Sequence, residues 1–160
     1  MLELVQESFY KLEAYCKNEK FMGWDPFDGL NSRLFQSIPF ISKNRFVRLA
    51  WIQTFKRSPV NLRRFAGVKK EYNTKGLGLF LAGYCNIYQT TSERKYLNEI
   101  DFFSSKLLEL QNKAWSGSCW GYNFDWQARA FFQPKKTPTI VSSVFIANAL
   151  LDAYEITGEE

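Results

Sequence analysis

The sequence predicts an all-α fold in which helical hairpins are arranged in two layers. Helical segments with one apolar face alternate along the chain with segments that are apolar on almost all sides, and the second kind must be enclosed by other helices. Strand signals are nearly absent, since no two alternating hydrophobic runs are joined by an Asn-Gly turn. We therefore expect outer and inner helices within one domain that spans residues 1–160.

The first two long helices are predicted to be outer ones. Apolar residues near the N-terminus recur at spacings of three and four, which predicts a helix with one buried face. That face consists of Leu2, Val5, Phe9, Leu12 and Cys16. A second helix is expected from Lys43 to Phe55. Its predicted apolar side consists of Phe46, Leu49, Ala50 and Trp51.

A short helix is predicted between Ser58 and Gly67. Ser58 followed by Pro59 has the pattern of a helix start, and Gly67 has that of a helix end. This element decides the direction of the chain in the hairpins that follow.

Two later segments, 77–88 and 140–154, are predicted to be the inner helices because they lack a polar face. A helix with a single apolar stripe separates them. The stripe consists of Tyr96, Ile100, Phe103, Leu107 and Leu110. The β-branched residues of 140–146 would also suit a buried strand, but the length of the segment and its Ala-rich continuation favour a helix.

The two inner helices end with similar sequences, which suggests an internal repeat of a helical hairpin. Residues 88–93 match residues 154–159 at Tyr, Thr and Glu. Because a new outer helix begins after Glu93, the same order predicts another helix after Glu159. We therefore expect a fragment of a longer helical architecture, in which the uncovered flanks of the inner helices form a homodimer interface.

The composition is that of an ordinary soluble globular protein, with 46% hydrophobic residues and a net charge of +5. There is no histidine, so His triads, His metal ligands and His general bases are excluded within this chain. The three cysteines, Cys16, Cys85 and Cys119, lack metal-ligand spacing and predict neither a zinc site nor a disulfide framework. We expect no metal and no cofactor.

The N-terminus does not predict export. Residues 1–16 lack the basic start and continuous apolar block of a signal peptide. From the sequence, we expect no apolar run to reach membrane-spanning length. These observations predict a cytoplasmic chain with reduced thiols and no membrane partner.

The loop at 117–127 is the most informative part of the chain. It places four aromatic residues around Asp125 and Gln127, whereas connecting loops are normally polar. Rings that stack on sugar faces beside a carboxylate would account for this composition. The alternative is that the rings fill one end of the helical layers as core.

A second segment, 23–32, repeats the mixture of Trp, Asp and Asn. Here Asp25-Pro26 and Asp28-Gly29 could equally be turn formers. If the short helix before Gly67 is real, hairpin directions place the loops 20–42, 67–75 and 112–138 at one end of the molecule. Long loops that gather at one end usually carry function.

These segments resemble a group of bacterial proteins in the six-hairpin glycosidase-like superfamily, which have an α/α-toroid fold. The group carries Gly-Trp-Asp-Pro-Tyr-Asp-Gly-Leu-Asn-Ser, Lys-Arg-Ser-Pro-Ile-Asn-Leu-Arg and Cys-Trp-Gly-Tyr-Asn-Phe-Asp-Trp-Gln elements. Here they stand at 23–32 with Phe27 for Tyr, at 56–63 with Val60 for Ile, and at 119–127. The resemblance implies the N-terminal half of a toroid, and a neighbourhood in surface-polysaccharide synthesis.

Some proteins of this group carry the label delta-aminolevulinic acid dehydratase. That enzyme is a β/α barrel with a Schiff-base lysine pair and usually a metal site. The sequence has neither alternating strands nor a cluster of metal ligands. The residues therefore do not support that activity.

The residues and the resemblance together predict a carbohydrate-active or carbohydrate-binding protein. Glycoside hydrolysis requires two carboxylates, and Asp125 and Asp28 are the predicted catalytic pair, with Asp25 as the reserve. The partner carboxylate could equally lie in the other half of the toroid that the resemblance implies. The predicted substrate-binding residues are Trp24, Asp25, Asn31, Trp120, Tyr122, Trp126, Gln127 and Arg129.

Two other functions remain possible from the sequence. The same aromatic residues could serve a non-catalytic sugar-binding or assembly module of polysaccharide synthesis. A nucleic-acid interface is the third hypothesis. Its residues would be Arg63, Arg64, Lys69 and Lys70. It is the least favoured, because the net charge is modest and no recognisable nucleic-acid module is present.

Overall fold

The computed structural model describes residues 2–158, and the chain is mostly helical, as predicted. Its helices are α1 (Leu2–Asn18), α2 (Arg33–Gln36), α3 (Pro39–Lys43), α4 (Arg45–Arg57), α5 (Thr74–Thr91), α6 (Lys95–Glu109) and α7 (Ile140–Thr157). The predicted repeat position Glu159 and the predicted burial of the Leu2 side chain lie outside what is described.

The main core is built by α5, α6 and α7. Helices α5 and α7 pack along each other, which confirms the predicted pairing of these two segments. The prediction that both are enclosed is wrong for α7, where Val144 and Leu151 are 52% and 59% exposed because no other described element covers that side. The predicted stripe of α6 faces this pair, and Tyr96, Ile100, Phe103 and Leu107 are all buried. A Cβ atom on Gly78 would lie 2.9 Å from Cγ1 of Ile146. The close approach of α5 and α7 therefore depends on glycine at this position.

Helices α5 and α7 begin and end in the same way, in agreement with the internal repeat. Both have 18 residues. Asn73 and Thr139 are their N-caps, and each side chain accepts a hydrogen bond from the backbone N–H three residues later. Ser92 and Gly158 end the helices in the left-handed conformation, with φ values of 56° and 68°.

The segment Trp120–Gly121 joins the N-termini of the two inner helices. The Trp120 carbonyl accepts a hydrogen bond of 3.0 Å from the Thr139 N–H, and the Gly121 carbonyl accepts one of 2.8 Å from the Thr74 hydroxyl. A Cβ atom on Gly121 would lie 2.1 Å from the Thr137 carbonyl oxygen. Both helices therefore start at the same end of the molecule, and they run parallel.

The short helix predicted before Gly67 is wrong, because this segment forms a series of turns. Only one helical turn is closed, by the 3.0 Å hydrogen bond from the Ala66 N–H to the Leu62 carbonyl. The predicted stop at Gly67 is confirmed, since its φ is 70° and the Val68 N–H reaches back to the Arg63 carbonyl at 2.9 Å.

The predicted apolar faces of the two outer helices need correction. In α1, Val5 and Leu12 are 65% and 60% exposed, so the expected face is not fully covered. In α4, Phe46 is 74% exposed, whereas Ile52 and Phe55 are buried. The buried side of α4 packs on the short 3-10 helix Asp28–Asn31 and on the loop before α5, neither of which is an α-helix.

A small β-hairpin also departs from the sequence prediction. Strand β1 (Trp126–Gln127) pairs antiparallel with β2 (Phe132–Gln133). With two residues each, the strands show too little alternation to be visible in the sequence. The hairpin is fixed instead by the Gln127 side chain, which donates to the carbonyls of Ala128 and Phe131 at 2.8 and 2.9 Å.

Helix α7 corrects the expectation about membrane-spanning length. Among residues 2–158 it is the one helix that is long and apolar enough to cross a membrane by length and composition, with a mean hydropathy of 1.3. One such helix is a weak indication, because core helices of soluble proteins pass the same test. Here one side of α7 packs on α5, while Val141, Val144 and Leu151 on other sides are each at least 50% exposed.

We expect Gly121→Ala to lower the free energy of unfolding by about 3 kcal/mol or more, because the new methyl group overlaps backbone that cannot move without opening both helix starts. Urea unfolding followed by circular dichroism measures this. Gly83→Ala is the matched control, since its Cβ meets nothing within 4 Å and it lies inside α5. It should stabilise by about 0.5–1 kcal/mol. Equal stability of the two variants would contradict the role assigned to Gly121.

Candidate functional site

The three long loops meet at one end of the molecule, as the hairpin directions predicted. The Trp24 indole N–H donates to the Val68 carbonyl at 3.0 Å, which joins the first loop to the second. The Asn31 amide donates to the Asn123 carbonyl at 2.9 Å, which joins the first loop to the third. The three loops thus gather at one end although the predicted short helix is absent, because the turns before Gly67 also return the chain to this end.

A cavity of about 280 Å³ lies where these loops meet, and we call it the rim cavity. It is lined by Asp25, Pro26, Phe27, Asn73, Lys75, Tyr122, Phe124 and Trp126. A second cavity, of about 160 Å³, shares Asp25 and Asn73 with it and also includes Trp24 and Glu71. The rim cavity is therefore aromatic on several sides and polar at Asp25, Asn73 and Lys75.

The aromatic rings of the rim cavity support one another. Tyr122 and Phe124 are stacked, with centroids 5.3 Å apart and planes inclined by 19°. Trp126 meets Tyr122 edge to face at 6.4 Å and Phe27 at 6.3 Å. Rings held in this way keep their orientation without a ligand, which lowers the entropy cost of binding a flat apolar surface.

Asp25 is positioned by two hydrogen bonds to its carboxylate. One oxygen accepts from the Phe27 N–H at 2.9 Å, and the other accepts from the Asn73 amide at 3.1 Å. A carboxylate has about four acceptor positions, so capacity remains for donors in the cavity. Asn73 is itself fixed, because its side-chain oxygen caps α5.

Asp28, one of the two predicted catalytic residues, does not line the rim cavity. It is buried, and its Oδ1 atom accepts a hydrogen bond of 2.8 Å from Arg63 Nε. Its Oδ2 atom accepts from the Asp25 N–H at 3.0 Å. Both carboxylate oxygens are thus used in contacts that hold the backbone of this loop in place.

Burial raises the pKa of Asp28 above its ordinary value, and the neighbouring Arg63 guanidinium opposes this shift without reversing it. The folded chain therefore holds this proton more tightly than the unfolded chain does. The contribution of Asp28 to stability is greatest below its unfolded pKa and falls as the pH rises through the folded pKa. The ion pair fixes geometry at a cost in desolvation.

Asp125, the other predicted catalytic residue, also lies outside the lining of the rim cavity. It is half-buried, and its Oδ1 atom accepts a hydrogen bond of 2.7 Å from the Lys135 N–H. It thereby closes the loop that contains the β-hairpin. The structure does not bring Asp28 and Asp125 together in this cavity.

The other predicted binding residues divide between the cavities and the scaffold. Tyr122 and Trp126 line the rim cavity, and Trp24 lines the second one. Trp120 is only 1% exposed and donates to the Leu107 carbonyl at 2.7 Å. Its ring belongs to the main core, so the core alternative describes this aromatic residue, and its faces are not open to a sugar.

The polar binding residues predicted from the aromatic loop also form scaffold contacts. Gln127 is buried, and its Oε1 atom accepts from Arg48 Nε at 2.8 Å. Arg129 is exposed at the hairpin turn, where its carbonyl accepts from the Arg45 guanidinium. Asn31 and Asn123 each have a buried side-chain oxygen without a hydrogen-bond partner among the described residues. Asn123 also lines the second cavity.

Sequence reasoning missed Asn73, Phe27 and Phe124 as lining residues. Asn73 had a usable signal, because it stands directly before an apolar helix and has the side chain of an N-cap. For the two phenylalanines no sequence signal separates a cavity wall from ordinary core. Lys75 was expected at this end of the molecule and is found there.

The site shows no arrangement for a metal ion, since residues 2–158 contain no group of three or more potential ligands from Cys, Asp and Glu. Comparison with known proteins gives no family assignment, because no family model, curated protein or solved structure matches the chain.

We expect that Asp28→Ala and Arg63→Ala each lower the free energy of unfolding by about 3 kcal/mol or more, since each leaves a buried group of the pair without its partner. The double variant should cost clearly less than the sum of the two single changes. Chemical unfolding of all four proteins measures this cycle. Glu93→Ala breaks the exposed pair with Lys95 and should cost less than about 1 kcal/mol. Strictly additive effects at Asp28 and Arg63 would exclude the structural role.

Proposed function

We propose that this chain binds a carbohydrate in the rim cavity. The proposal is carried by one observation: aromatic rings on Tyr122 and Trp126 share a cavity with the Asp25 carboxylate and the Asn73 amide. Sugars present flat apolar faces, which stack on aromatic rings. They also present hydroxyl groups, which form hydrogen bonds with carboxylate and amide groups. The volume of about 280 Å³ is near the lower end for small-molecule sites and suits a short saccharide.

The geometry supports binding better than glycoside hydrolysis. Hydrolysis of the usual kind needs two carboxylates across the scissile bond, and Asp25 is the one carboxylate that lines the rim cavity. Asp28 is engaged with Arg63, and Asp125 holds the hairpin loop. The non-catalytic binding or assembly module is therefore the function we favour.

We also propose that the helices form part of an α/α toroid. Parallel inner helices, an antiparallel helix between them in the sequence and identical cap positions on α5 and α7 all support repeating hairpins. In such a ring each inner helix has an inner neighbour on either flank. The flank of α7 away from α5 is open in this chain, and Leu151 is 59% exposed there.

We expect the open flank of α7 to pair with a second copy of the chain. Val141, Val144 and Leu151 of α7 are 50%, 52% and 59% exposed. Neighbouring exposed apolar side chains mark an interaction surface, and a two-fold contact between like surfaces is the commonest arrangement. Val144→Lys should raise the dissociation constant of the dimer by about tenfold or more, measured by light scattering across a dilution series.

The matched control for self-association is Val60→Lys, because Val60 is similarly exposed but lies far along the chain from α7. It should leave the dissociation constant unchanged. A wild-type chain that stays monomeric at high protein concentration would contradict the dimer and leave the carbohydrate proposal untouched.

We expect Trp126→Ala and Asp25→Ala each to weaken saccharide binding by about tenfold, through loss of a stacking face and of a charged acceptor respectively. Immobilised oligosaccharides of varied composition provide the probe. Trp115→Ala is the control, because Trp115 is 61% exposed and lines neither the rim cavity nor the second cavity. It should bind as the wild type does.

A reducing-sugar assay on the same oligosaccharides separates binding from hydrolysis. We expect no release of reducing ends by the wild-type chain. Binding that is indifferent to both Trp126→Ala and Asp25→Ala would refute the rim cavity as the site. Turnover that Asp25→Asn abolishes would instead support an enzyme.

A further inference from the structure

The positive charge of the chain is concentrated in one segment. Residues 32–70 contain ten Lys and Arg and neither Asp nor Glu, although the whole chain has a net charge of only +5. Within residues 2–158, only Arg63 and Lys70 of these ten cations form an ion pair with a carboxylate. Most of the remaining cations are exposed. A strongly positive surface is therefore presented without internal neutralisation.

The same segment exposes large apolar side chains to an unusual degree. Phe40 is 92% exposed, Phe65 is 84% exposed and Phe46 is 74% exposed. Leu34, Ile38 and Ile41 are between 40% and 55% exposed. Single exposed apolar residues are normal, but this density within one short stretch marks an interaction surface.

The fold fixes much of this segment as one rigid corner between α3 and α4. Arg48 donates from one guanidinium nitrogen to the carbonyls of Ser42 and Lys43, at 3.0 and 2.9 Å. Asn44 caps α4 by accepting hydrogen bonds from the backbone N–H groups of Phe46 and Val47. Phe40 and Phe46, on either side of these contacts, are thus displayed by ordered backbone.

The turns that carry Phe65 are tied to the start of the same segment. The Ser32 hydroxyl donates to the Ala66 carbonyl at 2.7 Å. A Cβ atom on Gly67 would lie 3.4 Å from Cβ of Arg33. Phe65 directly precedes Ala66 and Gly67 in the sequence, so it lies near the start of α2. We call the exposed residues Leu34, Ile38, Phe40, Ile41, Phe46 and Phe65, with their neighbouring cations, the basic apolar surface.

We propose that the basic apolar surface docks on an anionic membrane. Exposed Phe, Leu and Ile can enter the boundary between headgroups and acyl chains, while Lys and Arg attract acidic headgroups. Each cation near such a membrane adds to the attraction, and eight of the ten cations have no carboxylate partner among residues 2–158, which makes the charge complementary. This inference departs from the expectation, made from the sequence, of no membrane partner.

The apolar part of the surface favours a membrane over a nucleic acid. Nucleic-acid surfaces combine cations with aromatic rings on which bases stack, and Ile38, Ile41 and Leu34 have no role in that mode. In a membrane all the exposed apolar residues contribute by leaving water. The surface also needs no bound partner to be ordered, since its backbone contacts are internal.

The test uses the full chain and sedimentation with phosphatidylcholine vesicles that contain or lack phosphatidylserine, at physiological ionic strength. We expect binding only to the vesicles that contain phosphatidylserine. Arg33→Glu together with Lys43→Glu should weaken it by about tenfold or more. Phe40→Ser should weaken it severalfold by removing one inserted side chain. Both changes are at exposed positions, and circular dichroism verifies folding.

The control for charge is Lys113→Glu together with Lys135→Glu, which alters net charge equally at two exposed positions outside the segment. The control for aromatic loss is Trp115→Ser. Both should bind like the wild type. Absence of binding to phosphatidylserine vesicles, or equal loss in the control pair, would overturn the proposal. Binding that is indifferent to Phe40→Ser but is competed by DNA would also overturn it and would indicate a nucleic-acid surface.

Discussion

The arrangement of the helical core depends on the joint at Trp120–Gly121. Their carbonyls accept from the Thr139 N–H at the start of α7 and from the Thr74 hydroxyl at the start of α5. The Trp120 indole donates to the Leu107 carbonyl near the end of α6 at 2.7 Å. One dipeptide therefore links three helices whose mutual packing is mainly apolar. Apolar packing is non-directional, whereas these hydrogen bonds specify position along the helix axes. The lack of room for a side chain at Gly121 is the steric condition for the joint.

The joint at Trp120–Gly121 also holds the candidate site in place. Tyr122 follows Gly121 directly, and its carbonyl accepts a hydrogen bond of 2.7 Å from the Lys136 N–H. On the other side Asn73, which positions Asp25, is the N-cap next to Thr74, the residue that binds the Gly121 carbonyl. The same dipeptide thus positions both the aromatic wall and the acidic wall of the rim cavity. A binding site on loops requires such support if its geometry is to be kept without ligand.

The sequence carried enough information to predict the helical class, the packing of α5 on α7 and the end at which the loops gather. It did not predict that α7 would expose apolar residues instead of being enclosed. It could not tell which of several similar residues would be enclosed. Trp120 and Trp126 belong to one aromatic loop, yet one fills the core and the other lines the cavity, because only tertiary packing distinguishes them. Asp25 and Asp28 are three residues apart, but the Asp28 carboxylate pairs with Arg63, whereas the Asp25 carboxylate accepts from the Asn73 amide and lines the cavity. The face of α4 was mispredicted for the same reason, since its partners are turns rather than a helix.

The ion pair of Asp28 and Arg63 connects the two surfaces for which we propose functions. Arg63 belongs to the basic segment and also donates to the Asp25 carbonyl at 2.9 Å. The backbone of Asp25 is therefore held between Asp28, through its N–H, and Arg63, through its carbonyl. A buried pair of this kind costs desolvation, as the raised pKa of Asp28 indicates, and apolar residues could fill the space more cheaply. What apolar residues could not supply is a directional contact to both backbone polar groups of one residue, Asp25. At a cost in stability, the ion pair thus fixes the position of Asp25, the carboxylate of the rim cavity, relative to the basic apolar surface.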